Sequence, residues 1–124
     1  MKKEILTSEA DAVPGILSQA IDTGSLVFVS GQIHITPEGK LIGDTTEEKV
    51  EQIMKNIAAI LKAASCDMDN IVKATVYVTD LSQMPKLNEI YPTFFKVPYP
   101  AREAVCVKEL PLGATIEISV VASK

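Results

Sequence analysis

The sequence predicts an α+β fold, a mixed sheet of five or six strands with two helices packed on one face. Three observations carry this. An apolar stripe of helical period runs from Val50 to Ala64. A strictly alternating segment runs from Ile71 to Thr79. The other apolar runs are short and bounded by turns that contain glycine or proline. The resulting order is β-β-α-β-α-β-β, and one further strand before the first hairpin would make six.

The first hairpin joins Ser18–Ile21 to Leu26–Ser30 through Asp22-Thr23-Gly24-Ser25. Ile33–Gly43, with Pro37 and Gly39, reads as a loop with a weak strand near Leu41. Thr45-Thr46-Glu47-Glu48 is a capping box, in which a hydroxyl accepts a backbone N–H and the glutamate three residues on reaches back. The helix it opens buries Val50, Ile53, Met54, Ile57, Ala58, Ile60, Leu61 and Ala64 and should end near Ser65–Asp67. In the strand Ile71–Thr79, Val72, Ala74, Val76 and Val78 alternate with Lys73, Thr75, Tyr77 and Thr79. Asp80-Leu81-Ser82 opens a second helix with the stripe Met84, Leu87, Ile90, Tyr91 and Phe94, and Pro85 suits its first turn. Val97-Pro98-Tyr99-Pro100 breaks that helix. Two strands close the chain, about Arg102–Lys108 and Thr115–Val121, joined by Leu110-Pro111-Leu112-Gly113 and expected to form a hairpin.

Length and composition bound the function. A chain of 124 residues makes one domain, 1–124, and is long enough to bury about two-thirds of its unfolded surface without a disulfide or a metal. Cys66 and Cys106 are therefore expected to be reduced thiols of a cytoplasmic protein. The net charge is −4 with no Lys/Arg run, so the footprint of a nucleic-acid binder is missing. No apolar run approaches a membrane span, and the first residues lack the apolar core of a signal peptide. His34 is the only histidine, which excludes a His-rich zinc site; beside the Pro37-Glu38-Gly39 turn it is expected at the surface.

Two helices cover one face of such a sheet. The other face, assigned Tyr77, Thr75, Cys106 and Val121, is apolar enough to be buried by a homo-oligomer; the alternative is an ordinary antiparallel sheet with one wet face. Strand alternation puts Arg102, Ala104 and Cys106 on a common face. A symmetric four-residue loop would set Cys106 opposite Glu117, so that Arg102, Cys106, Glu117 and Ser119 line one surface. Arg102 is either a surface charge or a planar fork for a small carboxylate. Cys106 is either a small packing residue or a thiol, with no histidine near it in sequence to activate it. Glu117, between Ile116 and Ile118, is a candidate general acid/base whose pKa an apolar cleft would raise.

Tyr99-Pro100-Ala101-Arg102, Val105-Cys106-Val107, Leu110-Pro111, Gly113-Ala114 and Ile116-Glu117-Ile118 together resemble the C-terminal signature of the RidA (reactive intermediate deaminase A, or YjgF) family. Phe28-Val29-Ser30-Gly31-Gln32-Ile33, Gln52, Asn56, Val72–Val78, Asp80-Leu81 and Asn88-Glu89-Ile90-Tyr91 extend the resemblance over nearly the whole chain. It implies a chorismate-mutase-like fold and a homotrimer whose sheets form a central barrel, with clefts between subunits. It implies that Arg102 binds the carboxylate of a 2-imino or enamine acid and that Glu117 positions or activates the attacking water. Cys106 would line the cleft, and Ser30, Gly31 and Asn88 would complete it. The implied products are a 2-oxo acid and ammonia, with no metal or organic cofactor. Gly15-Ile16-Leu17-Ser18-Gln19-Ala20 departs from the family's usual Gly-Pro-Tyr-Ser-Gln-Ala, with Leu17 at the tyrosine that covers the substrate. Leu17 either packs the cleft or marks an altered substrate range, weak activity or a binding-only role. Deamination of 2-iminobutanoate and 2-iminopropanoate is the expected activity. A non-catalytic binding protein for small 2-oxo acids is the alternative.

Overall fold

A computed structural model describes residues 1–124. Six strands, β1 (Lys3–Ile5), β2 (Ala20–Asp22), β3 (Leu26–Ile33), β4 (Ile71–Val78), β5 (Ala101–Cys106) and β6 (Ile116–Ser123), form one mixed sheet in the order β1-β2-β3-β6-β4-β5. Two helices, α1 (Thr46–Ala63) and α2 (Met84–Ile90), pack with it. The short β1 is the strand expected before the first hairpin, and the Ile33–Gly43 loop holds only an Ile35–Leu41 bridge.

The capping box forms as its spacing requires. The Thr45 hydroxyl accepts from the Glu48 N–H at 3.1 Å, and the Glu48 carboxylate accepts from the N–H groups of Thr45 (3.1 Å) and Asp44 (2.9 Å). These donors hold the Glu48 carboxyl below the usual carboxylate range. Packing decides the helix's stability all the same. Val50, Ile53, Met54, Ile57, Ile60 and Leu61 are buried, and each such side chain is worth about 1.5–3 kcal/mol against about 1 kcal/mol for a threonine cap. The cap sets where α1 starts; the stripe keeps it folded.

That stripe shares one core with Val27, Val29, Ala74, Val76, Val78, Ile116, Ile118, Val120 and Ala122 of the sheet and with Leu87 and Tyr91. These strand positions alternate, so both helices lie on one sheet face. The opposite face carries Phe28, Thr75, Tyr77, Val105, Glu117, Ser119 and Val121, and Phe28 and Val105 are exposed.

The expected terminal hairpin does not form. β4 lies between β5 and β6, parallel to β5 and antiparallel to β6. The pairing expected between Cys106 and Glu117 is replaced by two rows: Cys106–Val78–Ile116 and Val105–Tyr77–Glu117. Every residue of β5 is exposed, whereas Ile71, Ala74, Val76 and Val78 of β4 are buried. A strand with that burial gains most from neighbours on both sides, and the exposed, charged one belongs at the edge. Cys106 accordingly lies on the face of Val78, and not with Tyr77, Thr75 and Val121.

His34 is also a correction, since it is buried. Nδ1–H donates to the Ile42 carbonyl at 2.7 Å, and Nε2 accepts from the Thr115 N–H at 3.1 Å. The neutral ring thus ties the Ile33–Gly43 loop to the start of β6. Burial, and secondarily the Lys49 charge, pull its pKa below the ordinary value of 6.5. The unfolded chain therefore binds the proton more readily. Stability should be complete above about pH 6.5 and fall as the pH drops from there through the lowered pKa. Urea midpoints at pH 7.5 and 5 should fall for the wild type and fall less for His34→Gln. Equal losses would place the acid sensitivity elsewhere. No helix is long and apolar enough to cross a membrane.

Candidate active site

A bulge builds the first part of the site. Between Val29–Val120 and Gln32–Ile118 the β3–β6 register slips, so β3 carries one extra residue at Ser30-Gly31. The Ser30 N–H donates to the Gln19 carbonyl at 2.9 Å and its hydroxyl donates to the Ser18 carbonyl at 2.6 Å. Gly31 faces the Glu117 carboxylate so closely that a Cβ there would stand 2.8 Å from Glu117 Cδ. Any other residue at position 31 would displace that side chain, which is the physical reason for the glycine.

Glu117 is half-buried in a cleft of about 170 Å³, with Asp11, Val13, Leu17, Gln19, Ser30, Gly31, Ile33, Pro111 and Leu112 among its walls. That is below the usual size of drug-binding pockets and suits a small molecule. No protein group donates a hydrogen bond to the carboxylate, and burial raises its pKa above the usual range. The cleft's only charged side chains are Asp11 and Glu117, so one chain alone places no cation in it.

The loop over the cleft is pinned by a residue that sequence reasoning quoted without a role. Gln19 is buried; its Oε1 accepts from the Thr7 N–H at 2.7 Å, and its Nε2 lies 3.0, 3.1 and 3.0 Å from the carbonyls of Thr7, Ala10 and Asp11. A buried amide with that many backbone partners fixes the path of the loop that carries Asp11, Val13 and Leu17. Asn56 acts similarly from α1, donating to the Ile35 carbonyl at 2.9 Å beneath the same wall. Its signal in the sequence is an asparagine on the apolar stripe of α1.

Arg102, Cys106 and Asn88 lie outside this cleft. Arg102 sits on the edge strand β5, exposed, with its guanidinium 4.9 Å from the centre of the Tyr91 ring. It has no salt bridge and donates no hydrogen bond within the chain, so its fork of donors is free. Asn88, one turn before Tyr91, and Cys106, four residues beyond Arg102 on the same face of β5, are both exposed. Pairing of Ala74 with Arg102 and of Tyr77 with Glu117 puts Arg102 on the helix-bearing face and Glu117 on the opposite one. The structure thus brings Leu17, Ser30, Gly31 and Glu117 together and leaves Arg102, Cys106 and Asn88 apart from them. The common surface expected from the hairpin is absent within one chain.

The family model described as Endoribonuclease L-PSP matches residues 8–124. The chain is 48% identical over 125 residues to a RutC family protein of Aquifex aeolicus, covering 98% of this chain and 99% of that one. It is 43% identical over 123 residues to the 2-iminobutanoate/2-iminopropanoate deaminase of Rattus norvegicus, covering 98% and 90%. Among solved structures it is similar to E. coli TdcF with bound serine, with a TM-score of 0.92, 35% identity and 99% of each chain covered.

Proposed function

The chain belongs to the Endoribonuclease L-PSP family, also called the RidA or YjgF family, and from that premise we propose that it hydrolyses 2-imino acids to 2-oxo acids and ammonia. The observation that carries the proposal is Glu117: a half-buried carboxylate that no protein donor satisfies, pressed against a glycine in a small, largely apolar cleft. Such a group is costly to keep unless it handles a proton.

The chemistry asks little of the protein. A protonated imine is already electrophilic at C2. Glu117 takes a proton from water as the oxygen bonds to C2, giving a carbinolamine. Glu117 then passes that proton to nitrogen, the C–N bond breaks with its electron pair leaving on ammonia, and the carbinolamine hydroxyl gives its proton to the regenerated Glu117 carboxylate as the carbonyl forms; that proton leaves with ammonia as ammonium. The substrate carboxylate needs a cation, and Arg102 offers a planar, unoccupied fork. Because Arg102 and Glu117 lie on opposite sheet faces, we assign each working cleft to two copies of the chain. The uncovered apolar face with Phe28, Tyr77, Val105 and Val121 supports that assembly, which we propose to be a homotrimer. Cys106 and Asn88 would flank Arg102, and Leu17, Ser30 and Gly31 would flank Glu117. 2-Iminobutanoate and 2-iminopropanoate are the proposed substrates, on the name of the rat relative.

One observation favours a second reading. Leu17 brings an alkyl group and no hydroxyl to the cleft wall, which suits capture of a 2-oxo acid without turnover. The test generates the imine in situ from an amino acid with a dehydratase or an oxidase and traps it with semicarbazide. Deamination predicts that micromolar protein suppresses the semicarbazone. Saturable 2-oxobutanoate binding by calorimetry with no suppression would instead establish the binding-only reading.

A further inference from the structure

Tyr91 has a buried phenol hydroxyl with no hydrogen-bond partner. A buried hydroxyl without a partner is unfavourable, and phenylalanine would fill the same space without it. The ring, by contrast, is fully used. It packs against Phe95, with ring centroids 4.9 Å apart and planes inclined by 47°. The Arg102 guanidinium lies over the ring at 4.9 Å. Tyr91 is fixed at the end of α2, where only 5% of it is exposed. Arg102, in contrast, stands on an exposed edge strand where nothing else in the chain holds its long side chain. A free arginine there samples many rotamers, and each must be lost before its fork can meet a carboxylate.

We propose that the Tyr91 ring presets the Arg102 guanidinium for carboxylate binding, so that Tyr91 is a positioning residue acting through Arg102. This rests on the reading of Arg102 as the carboxylate anchor. A cation within about 6 Å of an aromatic face is attracted by the ring quadrupole, more so when desolvated. The contact takes up none of the guanidinium's N–H donors, since Arg102 makes no hydrogen bond or salt bridge in the chain. Preorganisation of this kind acts on substrate affinity and leaves the water-handling step at Glu117 alone. The role falls to the ring, since the hydroxyl is enclosed and has no partner in the chain.

The test replaces Tyr91 with phenylalanine and then with phenylalanines carrying one, two and three ring fluorines, which drain the ring quadrupole at nearly constant volume and avoid the folding hazard of Tyr91→Leu. Imine turnover and calorimetric 2-oxobutanoate binding are measured for each. Tyr91→Phe should match the wild type. KM and the 2-oxobutanoate Kd should then rise stepwise, by about two- to fivefold across the series, with kcat unchanged. In an Arg102→Ala background the series should have no effect on binding. A flat series in a wild-type-active protein, or an equal rise in the Arg102→Ala background, overturns the positioning role. A wild type that neither binds 2-oxobutanoate nor turns over imine overturns the carboxylate-anchor reading, and this proposal with it.

Discussion

Arg102→Ala should lower kcat/KM for imine hydrolysis by about 10²–10³-fold, because it removes a desolvated charge partner of the substrate carboxylate. The fold should survive the change, since Arg102 is exposed on an edge strand and holds no salt bridge. The sharper result comes from mixing. Arg102→Ala and Glu117→Gln chains, each reduced to about one-hundredth of wild-type activity or less alone, should regain activity when unfolded and refolded together. In a cyclic assembly with heterologous interfaces, random mixing gives an intact Arg102 and an intact Glu117 to about one cleft in four. The two residues lie on opposite faces of the sheet in one chain, which is why complementation is expected. If mixing restores nothing while each variant folds and assembles, the two residues do not share a cleft between copies.

Glu117→Gln should lower kcat by about 10²–10⁴-fold, the usual contribution of a positioned acid/base, with KM little changed. The same substitution should raise thermal stability at neutral pH. Burial puts the folded pKa of Glu117 above its ordinary value of 4.5, so the folded protein binds the proton more tightly than the unfolded chain. Stability therefore falls as pH rises from about 4.5 through the raised pKa, and the ionised carboxylate is a standing cost above it. Glutamine removes that cost. Activity should run the other way: the base must be ionised, so wild-type kcat should fall as pH drops through the raised pKa. Residual activity of Glu117→Gln should lack that limb. Melting curves and pH–rate profiles of the two proteins check both directions. A variant that is both less active and less stable would point to a structural role for Glu117.

Much of this fold was legible because local rules agreed. The capping box and stripe gave α1 its start and its buried face, and alternation gave β4. Proline and glycine placed the breaks. Glu117 as a half-buried group of raised pKa followed from its position between Ile116 and Ile118. The burial of His34 is not legible locally because its two backbone partners, Ile42 and Thr115, come from segments whose meeting no local pattern announces. The role of Gln19 is hidden for the same reason, since its carbonyl and N–H partners lie 8 to 12 residues away in a loop without periodicity.

The sequence by itself determined that Arg102 and Cys106 share a face and that Glu117 points away from Ile116 and Ile118, because alternation along a strand depends only on neighbours in the chain. Tertiary structure alone decided which strands pair. β5 and β6 are consecutive, and a short turn between them suggested a hairpin. β4 takes the place between them because β4, with Ile71, Ala74, Val76 and Val78 buried, gains from a neighbour on each side, while exposed β5 loses nothing at the edge. That one insertion turns Arg102 and Glu117 to opposite faces. Strand order is settled by the summed burial of the whole sheet, and no window of residues around the last turn contains that sum.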